Sequence, residues 1–273
     1  MMRRSVLGSP WGIGMRLDRK STFITGGTSG IGLATAAAFL REGAHVAVTG
    51  RDNARLQSVV ERLGARCKGF VADAGDDAAM AEALAAAAGT LGGLDALFVN
   101  AGHYVSATLG TTSRADVEAQ MKVVANMFMA VQSALPHLRE GASVVLMGSV
   151  YAIMGPPGAG GYAASKAACR ALARSMASEL APRSIRVNVV VPGAVDTPGW
   201  PHHQMEANER DRQKRAIGER ALINRMVTDT EVANAVLFLA SDESSGLNAS
   251  EIVIDGGTTG ALAGSPRYLR GEP

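Results

Sequence analysis

The chain has 273 residues, of which 47% are hydrophobic and 19% are charged, so it is long enough to bury a full core. The 27 basic and 25 acidic residues leave a formal net charge of +2, which argues against nucleic acid or an anionic membrane as a partner. The two cysteines, Cys67 and Cys169, have no metal-ligand spacing. We therefore predict a protein of a reducing cytoplasm, without a metal site or a disulfide framework.

The amino-terminal residues 1–16 are interpreted as an unstructured leader. Arg3 and Arg4 open it, but no apolar run of about 7 residues follows, as a secretory signal would need. Nor does any segment reach the roughly 18 uninterrupted apolar residues of a membrane span. Because no internal repeat or long linker divides the rest, residues 17–258 are predicted to form a single domain, followed by a C-terminal tail at 259–273.

From Ser21 onward, short apolar runs alternate with longer amphipathic runs, the pattern of βα units in a parallel sheet. Strands are predicted at 21–25, 44–50, 67–73, 94–100, 142–149, 185–193 and 251–257. Helices are predicted at 31–43, 53–64, 76–93, 113–139, 161–180 and 229–241. Gly43 is suited to end the first helix, and Ser113 with Asp116 forms a capping pair for the fourth. This pattern predicts an α/β fold with a doubly wound sheet, whose strand carboxyl ends share the edge where ligands bind.

Residues 198–224 form the least regular segment, which is polar, highly charged and rich in proline and glycine at its start. Two interpretations stay open. The segment is either a solvated loop with one or two helical turns, or a mobile lid over a site at the strand ends, since it follows the sixth strand. His202 and His203 are assigned to its surface.

A glycine-rich turn, TGGTSGIG at 25–32, follows the first strand and opens the first helix. Gly26, Gly30 and Gly32 let the backbone turn tightly, approach a pyrophosphate and aim the free N–H groups of the helix at it. A glycine cluster alone is equally compatible with an ordinary turn. The strand before it and the helix after it favour a dinucleotide site.

The end of the second strand bears on the choice of dinucleotide. A site for NAD(H) usually places an acidic residue there to bind the ribose hydroxyls, whereas an arginine accommodates the 2′-phosphate of NADP(H). Gly50 stands where the acid is expected and Arg51 follows it, while Asp52 is interpreted as the cap of the next helix. NADP(H) is therefore favoured, and NAD(H) stays open. Asp73, ending the third strand, either receives the adenine amino group or caps its loop.

Five motifs follow one another along the chain: TGGTSGIG, VNAG at 99–102, GS at 148–149, YAASK at 162–166 and PGAVDTP at 192–198. In this order and spacing they resemble the short-chain dehydrogenase/reductase family over residues 17–257. The resemblance implies a Rossmann-like doubly wound sheet of seven parallel strands, in the order 3-2-1-4-5-6-7, with helices on both faces. It also implies an oxidoreductase that forms a homodimer or homotetramer on its two long helices.

The resemblance further implies that Ser149, Tyr162 and Lys166 are the catalytic residues. Reduction of a ketone needs a hydride on carbon and a proton on oxygen, and a tyrosine with an ordinary pKa near 10 is a poor base at neutral pH. A lysine ammonium one turn away can lower that pKa. Lys166 is expected to bind the nicotinamide ribose as well, and Ser149 to hydrogen-bond the substrate oxygen.

The cofactor-binding residues follow from the same motifs. The VNAG residues are assigned to the wall beneath the adenosine ribose, and those of PGAVDTP to the side of the nicotinamide. The full expected set is Gly26, Thr28, Ser29, Gly30, Ile31, Gly32, Arg51, Asp73, Asn100, Ala101, Gly102, Tyr162, Lys166, Pro192, Gly193, Val195 and Thr197.

The long fourth helix departs from the family pattern. Many members carry there an asparagine that holds a water in the proton relay, and that position falls at Val123 or Val124. Asn126 is displaced from it by about 200 to 300 degrees around a helix, so it replaces the missing residue only if the helix is locally bulged.

Loop residues near the motifs are candidates for the substrate pocket. They are His103 and Tyr104 after VNAG and, with a stronger claim, Tyr151 and Met154 after GS. Cys169 is assigned to the core or to a subunit contact.

We therefore predict NADPH-dependent reduction of a ketone, or oxidation of a secondary alcohol, with Tyr162 as the acid/base and a small carbonyl or alcohol as substrate. The subclass stays open between a 3-oxoacyl-carrier-protein reductase, a sugar or polyol dehydrogenase and a general carbonyl reductase. The alternative is a non-catalytic module of the same fold that senses NADP(H), which only the missing relay asparagine supports. Neither hypothesis involves nucleic acid or a membrane.

Overall fold

The computed structural model describes residues 14–197 and 205–271, which are built around a parallel sheet. The strands are β1 (Ser21–Ile24), β2 (His45–Gly50), β3 (Cys67–Val71), β4 (Leu94–Val99), β5 (Leu138–Met147), β6 (Arg186–Pro192), β7 (Val195–Asp196), β8 (Val227–Thr228) and β9 (Glu251–Ile254). Seven of them form the sheet in the order β3-β2-β1-β4-β5-β6-β9. The predicted fold class and strand order are confirmed, with β9 as the seventh strand of the sheet.

Helices cover both faces of this sheet. They are α1 (Gly30–Arg41), α2 (Asn53–Leu63), α3 (Asp77–Leu91), α4 (Arg114–Ala134), α5 (Tyr151–Met154), α6 (Gly160–Leu180), α7 (Ala207–Gly218), α8 (Asp229–Ala240) and α9 (Pro266–Leu269). One core lies between the sheet and α3, α4 and α6, and the other between the sheet and α1, α2 and α8. Since the central strands are buried on both sides, they read as continuous apolar runs in the sequence.

Several predicted helix ends are confirmed by their capping geometry. Gly43 follows α1 with a φ of +89°, the left-handed conformation that favours glycine. Ser113 and Asp116 form a reciprocal capping box at the start of α4. The Asp52 side chain accepts a hydrogen bond from the Arg55 N–H at 3.0 Å and so caps α2.

Two predicted boundaries are wrong. The fourth helix was expected to run to residue 139, but α4 ends at Ala134 because Pro136 has no N–H with which to continue it. The fifth strand was expected to begin at residue 142, but β5 begins at Leu138, which already pairs with Leu94.

The segment expected to be irregular also contains more helix than predicted. Residues 207–218 form the continuous 12-residue helix α7. Residues 198–204, with His202 and His203, lie outside the described residues, as do residues 1–13 of the expected leader. None of the helices in the described ranges combines the length and apolar character needed to cross a bilayer.

The C-terminal residues fold back onto the segment after α7. The Arg267 N–H donates to the carbonyl oxygen of Glu219 at 3.0 Å, and the Arg270 guanidinium pairs with the Glu219 carboxylate at 2.5 Å. The expected tail therefore has fixed contacts near residue 219. The domain boundary at residue 258 stays a prediction.

Gln120 on α4 is buried beside α6 without any hydrogen-bond partner for its amide among the described residues. A Cβ atom on Gly161 would lie 3.4 Å from Cγ of Gln120, so the two helices meet closely there. Leaving a buried polar group unpaired costs about 1–3 kcal/mol. We therefore expect Gln120→Met, which keeps the length of the side chain, to raise the free energy of unfolding by a similar amount.

For a chain of this size, each kcal/mol corresponds to roughly 2–4 °C in Tm, which circular dichroism resolves. Gln132→Met, on the exposed side of the same helix, is the matched control and should leave Tm nearly unchanged. A Gln120→Met variant that melts below the unmodified protein would contradict the assignment of an unpaired amide.

Candidate active site

The glycine-rich turn between β1 and α1 has the geometry of a phosphate cradle. Gly26 and Gly30 have φ values of +67° and +50°, which favour glycine. A Cβ atom on Gly32 would lie 2.3 Å from the carbonyl oxygen of Gly26, so only glycine lets α1 begin against the turn. Ser29, the N-cap of α1, makes no side-chain capping bond, and the first turn holds no acidic residue. The free N–H groups of that turn therefore suit an anionic phosphate.

Asn100, at the end of β4, fastens this turn to the sheet. Its Nδ2 donates to the carbonyl oxygens of Thr25 and Gly26, both at 3.1 Å. The N–H groups of Asn100 and Ala101 donate to Oγ1 of Thr25 at 2.9 and 3.0 Å. Asn100 was expected in the wall of the cofactor site, and the structure gives it an additional bracing role that the sequence did not reveal.

The end of β2 has no room for an acidic side chain at residue 50. A Cβ atom on Gly50 would lie 2.5 Å from Cγ2 of Thr28. Arg51 extends into solvent, with 80% of its side chain exposed, and lies 3.9 Å from the carboxylate of Asp73. Asp73 also accepts a hydrogen bond from the Gly75 N–H at 2.9 Å, so it caps its own loop, as one of the two interpretations held.

Ser149, Tyr162 and Lys166 come together where β5 ends and α6 begins. Ser149 follows β5 by two residues, and its Oγ accepts a hydrogen bond from the Tyr151 N–H at 3.2 Å. The Nζ of Lys166 lies 5.6 Å from the centroid of the Tyr162 ring. It donates a hydrogen bond to the carbonyl oxygen of Met147 at 2.8 Å.

The electrostatics of this group differ from the sequence-based expectation. Burial raises the pKa of Tyr162, a hydrogen bond with Ser149 lowers it, and the neighbouring Tyr151 and Tyr104 raise it further. Burial also lowers the pKa of Lys166. The pKa of Tyr162 is thus raised where a lowering was expected, chiefly because the ring is removed from water, and Lys166 is not among the groups that shift it, so the tuning of Tyr162 by Lys166 stays a prediction.

Val123 on α4 and Lys166 on α6 face the same glycine, Gly102. A Cβ atom on Gly102 would lie 3.5 Å from Cγ1 of Val123 and 3.9 Å from Nζ of Lys166. Asn126 instead faces Gly75, where a Cβ atom would lie 3.5 Å from its Nδ2. Because α4 is continuous from Arg114 to Ala134, no bulge brings Asn126 to the lysine.

The PGAVDTP motif closes the cleft on the side of β6. The carbonyl oxygen of Pro192 accepts a hydrogen bond from the Val150 N–H at 3.0 Å, which links the ends of β6 and β5. Val195 lies in β7, which pairs with β8, a connection that was not predicted. Thr197 reaches the glycine turn, since a Cβ atom on Gly30 would lie 3.4 Å from its Cβ.

All these elements open onto a cleft of about 810 Å³ at the carboxyl edge of the sheet. Every expected catalytic or cofactor residue lines it except Gly32, which is buried beneath the turn. The lining set is Gly26, Thr28, Ser29, Gly30, Ile31, Arg51, Asp73, Asn100, Ala101, Gly102, Ser149, Tyr162, Lys166, Pro192, Gly193, Val195 and Thr197. Among the described residues, no group of three His, Cys, Asp or Glu side chains is placed to hold a metal ion.

Two tyrosines from separate loops pack against Tyr162. The ring of Tyr104 meets it edge to face at 5.0 Å between centroids, and that of Tyr151 does so at 5.8 Å. Of the four candidates for the substrate pocket, His103 and Tyr104 line the cleft, whereas Tyr151 and Met154, which had the stronger claim, are not among its lining residues. Cys169, assigned to the core, is buried with its Sγ 3.8 Å from the Met147 oxygen that Lys166 also contacts. Cys169 follows Lys166 by three residues, a spacing that places both side chains on the same face of α6 and explains why both approach this oxygen.

The sheet order and the residues at its carboxyl edge define a Rossmann-like α/β protein, and comparisons with known proteins agree. A family model described as Enoyl-(Acyl carrier protein) reductase matches residues 26–259. The chain is 34% identical over 253 residues to 2-(S)-hydroxypropyl-CoM dehydrogenase 3 of Xanthobacter autotrophicus, covering 89% of this chain and 98% of that protein. It is 35% identical over 249 residues to a 3-oxoacyl-acyl-carrier-protein reductase of Thermotoga maritima, and the match covers 89% of this chain and 99% of that protein.

Among solved structures, an NADPH-bound short-chain oxidoreductase from Pseudomonas aeruginosa PAO1, described as containing an atypical catalytic center, is similar with a TM-score of 0.84. It shares 31% identity over 89% of this chain and 98% of that one. A dehydrogenase/reductase from Sinorhizobium meliloti 1021 is similar with a TM-score of 0.82 and 35% identity. The match covers 90% of this chain and 97% of that one. The chain belongs to the short-chain dehydrogenase/reductase family of oxidoreductases.

Proposed function

We propose that this protein transfers a hydride between NADP(H) and a ketone or secondary alcohol, with Tyr162 as the acid/base. The observation that carries this proposal is the convergence of Ser149, Tyr162 and Lys166 on one cleft with the glycine-rich turn. The bound nicotinamide supplies the hydride for reduction, or accepts it in oxidation. The protein supplies the binding, the orientation and the proton.

In reduction, Tyr162 gives its hydroxyl proton to the carbonyl oxygen while the carbonyl carbon takes up the hydride, so the product is the neutral alcohol. The Ser149 hydroxyl hydrogen-bonds the same oxygen as negative charge develops on it. The phenolate left on Tyr162 is stabilised by the ammonium of Lys166 and must regain a proton before the next cycle. Because burial raises the pKa of Tyr162, its hydroxyl holds a proton that it can give to the carbonyl oxygen in reduction.

The described residues fit a dinucleotide phosphate. The glycine turn and the uncapped first turn of α1 suit the pyrophosphate. At residue 50, contact with Thr28 excludes the acidic side chain typical of NAD(H) sites, and Asp52 is engaged as a helix cap. Arg51 remains as the charged group that reaches solvent beside the cleft and suits a 2′-phosphate.

We therefore expect Arg51→Ala to weaken NADPH binding by roughly tenfold to a hundredfold, the effect of losing a hydrogen bond to a charged group, while NADH binding stays nearly unchanged. Titration with each dinucleotide, followed by nucleotide fluorescence, measures both dissociation constants. Arg62→Ala, in the last turn of α2 at the opposite edge of the sheet, is the matched control. An unchanged ratio of the two constants in Arg51→Ala would refute the phosphate assignment.

The function is tested with NADPH and a panel of ketones, by following the loss of nucleotide absorbance. Turnover supports a reductase. Tight NADPH binding without turnover of any ketone or alcohol would instead support the sensor hypothesis, for which Val123, which stands in place of the relay asparagine, is the motivating observation.

We also propose that two copies associate through α4 and α6, as the family resemblance implies. Val117, Met121 and Phe128 form a stripe along α4, and they are 40%, 36% and 41% exposed. Burial of one aromatic side chain contributes about 1.5–3 kcal/mol, and twofold symmetry counts it twice. Phe128→Glu should therefore weaken association at least a hundredfold. Light scattering after size exclusion measures the mass, and Leu109→Glu, in a fully exposed loop position, is the control.

A further inference from the structure

Asn126 lines the cleft from the middle of α4 and is partly buried. An asparagine inside a helix usually bonds a nearby carbonyl oxygen or points to open solvent. The side chain of Asn126 makes no hydrogen bond to any residue that the structure describes. Its donor and its acceptor are therefore both available to a molecule bound in the cleft.

Asn126 and Asp73 converge above Gly75. A Cβ atom on Gly75 would lie 3.5 Å from Nδ2 of Asn126 and 3.4 Å from Oδ1 of Asp73. The two side chains thus approach one point, the first from α4 and the second from the chain that follows β3. Because Gly75 has no side chain, that point stays open, and all three residues line the cleft. We call this group, Asp73, Gly75 and Asn126, the polar corner.

The order of the strands indicates which part of a dinucleotide reaches the polar corner. The glycine-rich turn after β1 suits the pyrophosphate, and Arg51 after β2 suits the 2′-phosphate on the adenosine ribose. The adenine base is bonded to that same ribose, and the next strand beyond β2 in the sheet is β3. The nicotinamide belongs in the other direction, toward Tyr162. The polar corner after β3 is therefore on the adenine side of the cleft.

The chemistry of the corner matches one edge of adenine, where the N6 amino donor lies beside the N7 acceptor. An asparagine amide pairs with both, because its Oδ1 accepts from N6 and its Nδ2 donates to N7. The carboxylate of Asp73 can only accept, and its Oδ1 already receives the Gly75 N–H at 2.9 Å. Of the two side chains at the corner, only that of Asn126 can satisfy both groups.

We propose that Asn126 binds the adenine base of the cofactor, with Oδ1 accepting a hydrogen bond from the N6 amino group and Nδ2 donating one to N7. This inference rests on the proposed NADP(H)-dependent function and deepens it, since the protein then selects the base of the dinucleotide as well as its phosphate. The asparagine that lies too far around α4 to serve Lys166 thus has a different role, at the other end of the cofactor.

The test compares NADPH with reduced nicotinamide hypoxanthine dinucleotide phosphate, in which an oxygen replaces the N6 amino group. The same edge of hypoxanthine presents two acceptors, so one hydrogen bond is lost and the amide oxygen faces another oxygen. Titration followed by nucleotide fluorescence should give the unmodified protein a dissociation constant about tenfold to a hundredfold lower for NADPH than for the analogue. In Asn126→Leu, which keeps the shape of the side chain without its polar atoms, the two constants should agree within about twofold.

The ratio of the two constants in the unmodified protein needs no substitution. Leucine is also a stronger helix former than asparagine, so Asn126→Leu should fold, which circular dichroism checks. Asn126→Gln keeps the amide on a longer stem and should restore part of the ratio. Gln132→Leu, which removes an exposed amide from the same helix, is the matched control and should keep the full ratio.

These measurements separate the adenine contact from the proposed function. A ratio near one in the unmodified protein, or an equal ratio in it and in Asn126→Leu, would overturn the adenine contact and leave the oxidoreductase intact. A ratio lost in Asp73→Ala and kept in Asn126→Leu would also overturn it and assign the base to Asp73. A ratio that Asn126→Leu abolishes, without turnover of any ketone or alcohol, would uphold the contact and overturn the reductase. Failure of both nucleotides to bind would overturn both proposals.

Discussion

Replacing Tyr162 by phenylalanine should lower kcat for ketone reduction by roughly a hundredfold to ten-thousandfold, the usual contribution of a positioned acid. The substitution keeps the ring and its edge-to-face contacts with Tyr104 and Tyr151, so the wall of the cleft stays in place. Only the hydroxyl proton is lost. NADPH binding should therefore change by no more than a few fold, and initial rates with fluorescence titration separate the two quantities.

The control for this variant is Tyr268→Phe, which removes a hydroxyl from a tyrosine that is 58% exposed on α9. It should keep the kcat of the unmodified protein. If Tyr162→Phe retained more than about a tenth of kcat, Tyr162 would not be the proton donor, since even weak acid catalysis contributes more than that.

The surroundings of Lys166 bear on how its charge can act on Tyr162. Lys166 is 3% exposed, its ammonium donates a hydrogen bond to the carbonyl oxygen of Met147, and both Lys166 and Val123 face Gly102. No carboxylate is among the groups that shift its pKa. The lysine is thus placed to stabilise negative charge on Tyr162, while Val123 offers no hydrogen bond on the α4 side.

The strands and helices of the sheet were predictable from the sequence because each strand is an apolar run bounded by turn residues and each helix has its own periodicity, whereas the order of the strands was implied by the family resemblance. Local chemistry also fixed the caps at Asp52 and Ser113. The pairing of β7 with β8 was not predictable, because two-residue strands carry no periodicity and depend on contacts far along the chain.

The residues that line the candidate site were predicted from their motifs. Their burial and their contacts with one another were not predicted. Burial decides the direction of the pKa shift of Tyr162, and burial is set by how α6 packs on the sheet. The contact of Tyr104 with Tyr162 joins residues 58 positions apart, counted from 104 to 162, on different elements. Gln120 looks like an ordinary polar residue of a helix until Gly161 is seen to let α6 approach it.

Replacing Gly32 by alanine should remove NADPH binding and destabilise the fold by about 1–3 kcal/mol, the usual cost of forcing an extra methyl group into a packed site. The new Cβ would lie 2.3 Å from the Gly26 oxygen and 2.7 Å from Nδ2 of Asn100. The first is a backbone atom, and the second belongs to the side chain that braces the same turn. The turn must therefore move, and the N–H groups of α1 move with it.

Thermal unfolding with and without NADPH measures both effects. A ligand present at a hundred times its dissociation constant stabilises the folded state by about 2.7 kcal/mol, so the unmodified protein should show a clear rise in Tm. Gly32→Ala should start from a lower Tm and show no rise. The matched control is Gly89→Ala on α3, where a Cβ meets no atom within 4 Å and alanine favours the helix by up to about 1 kcal/mol. Equal NADPH-induced shifts in the two variants would contradict the cradle, because Gly32 would then not set the position of the phosphate-binding turn.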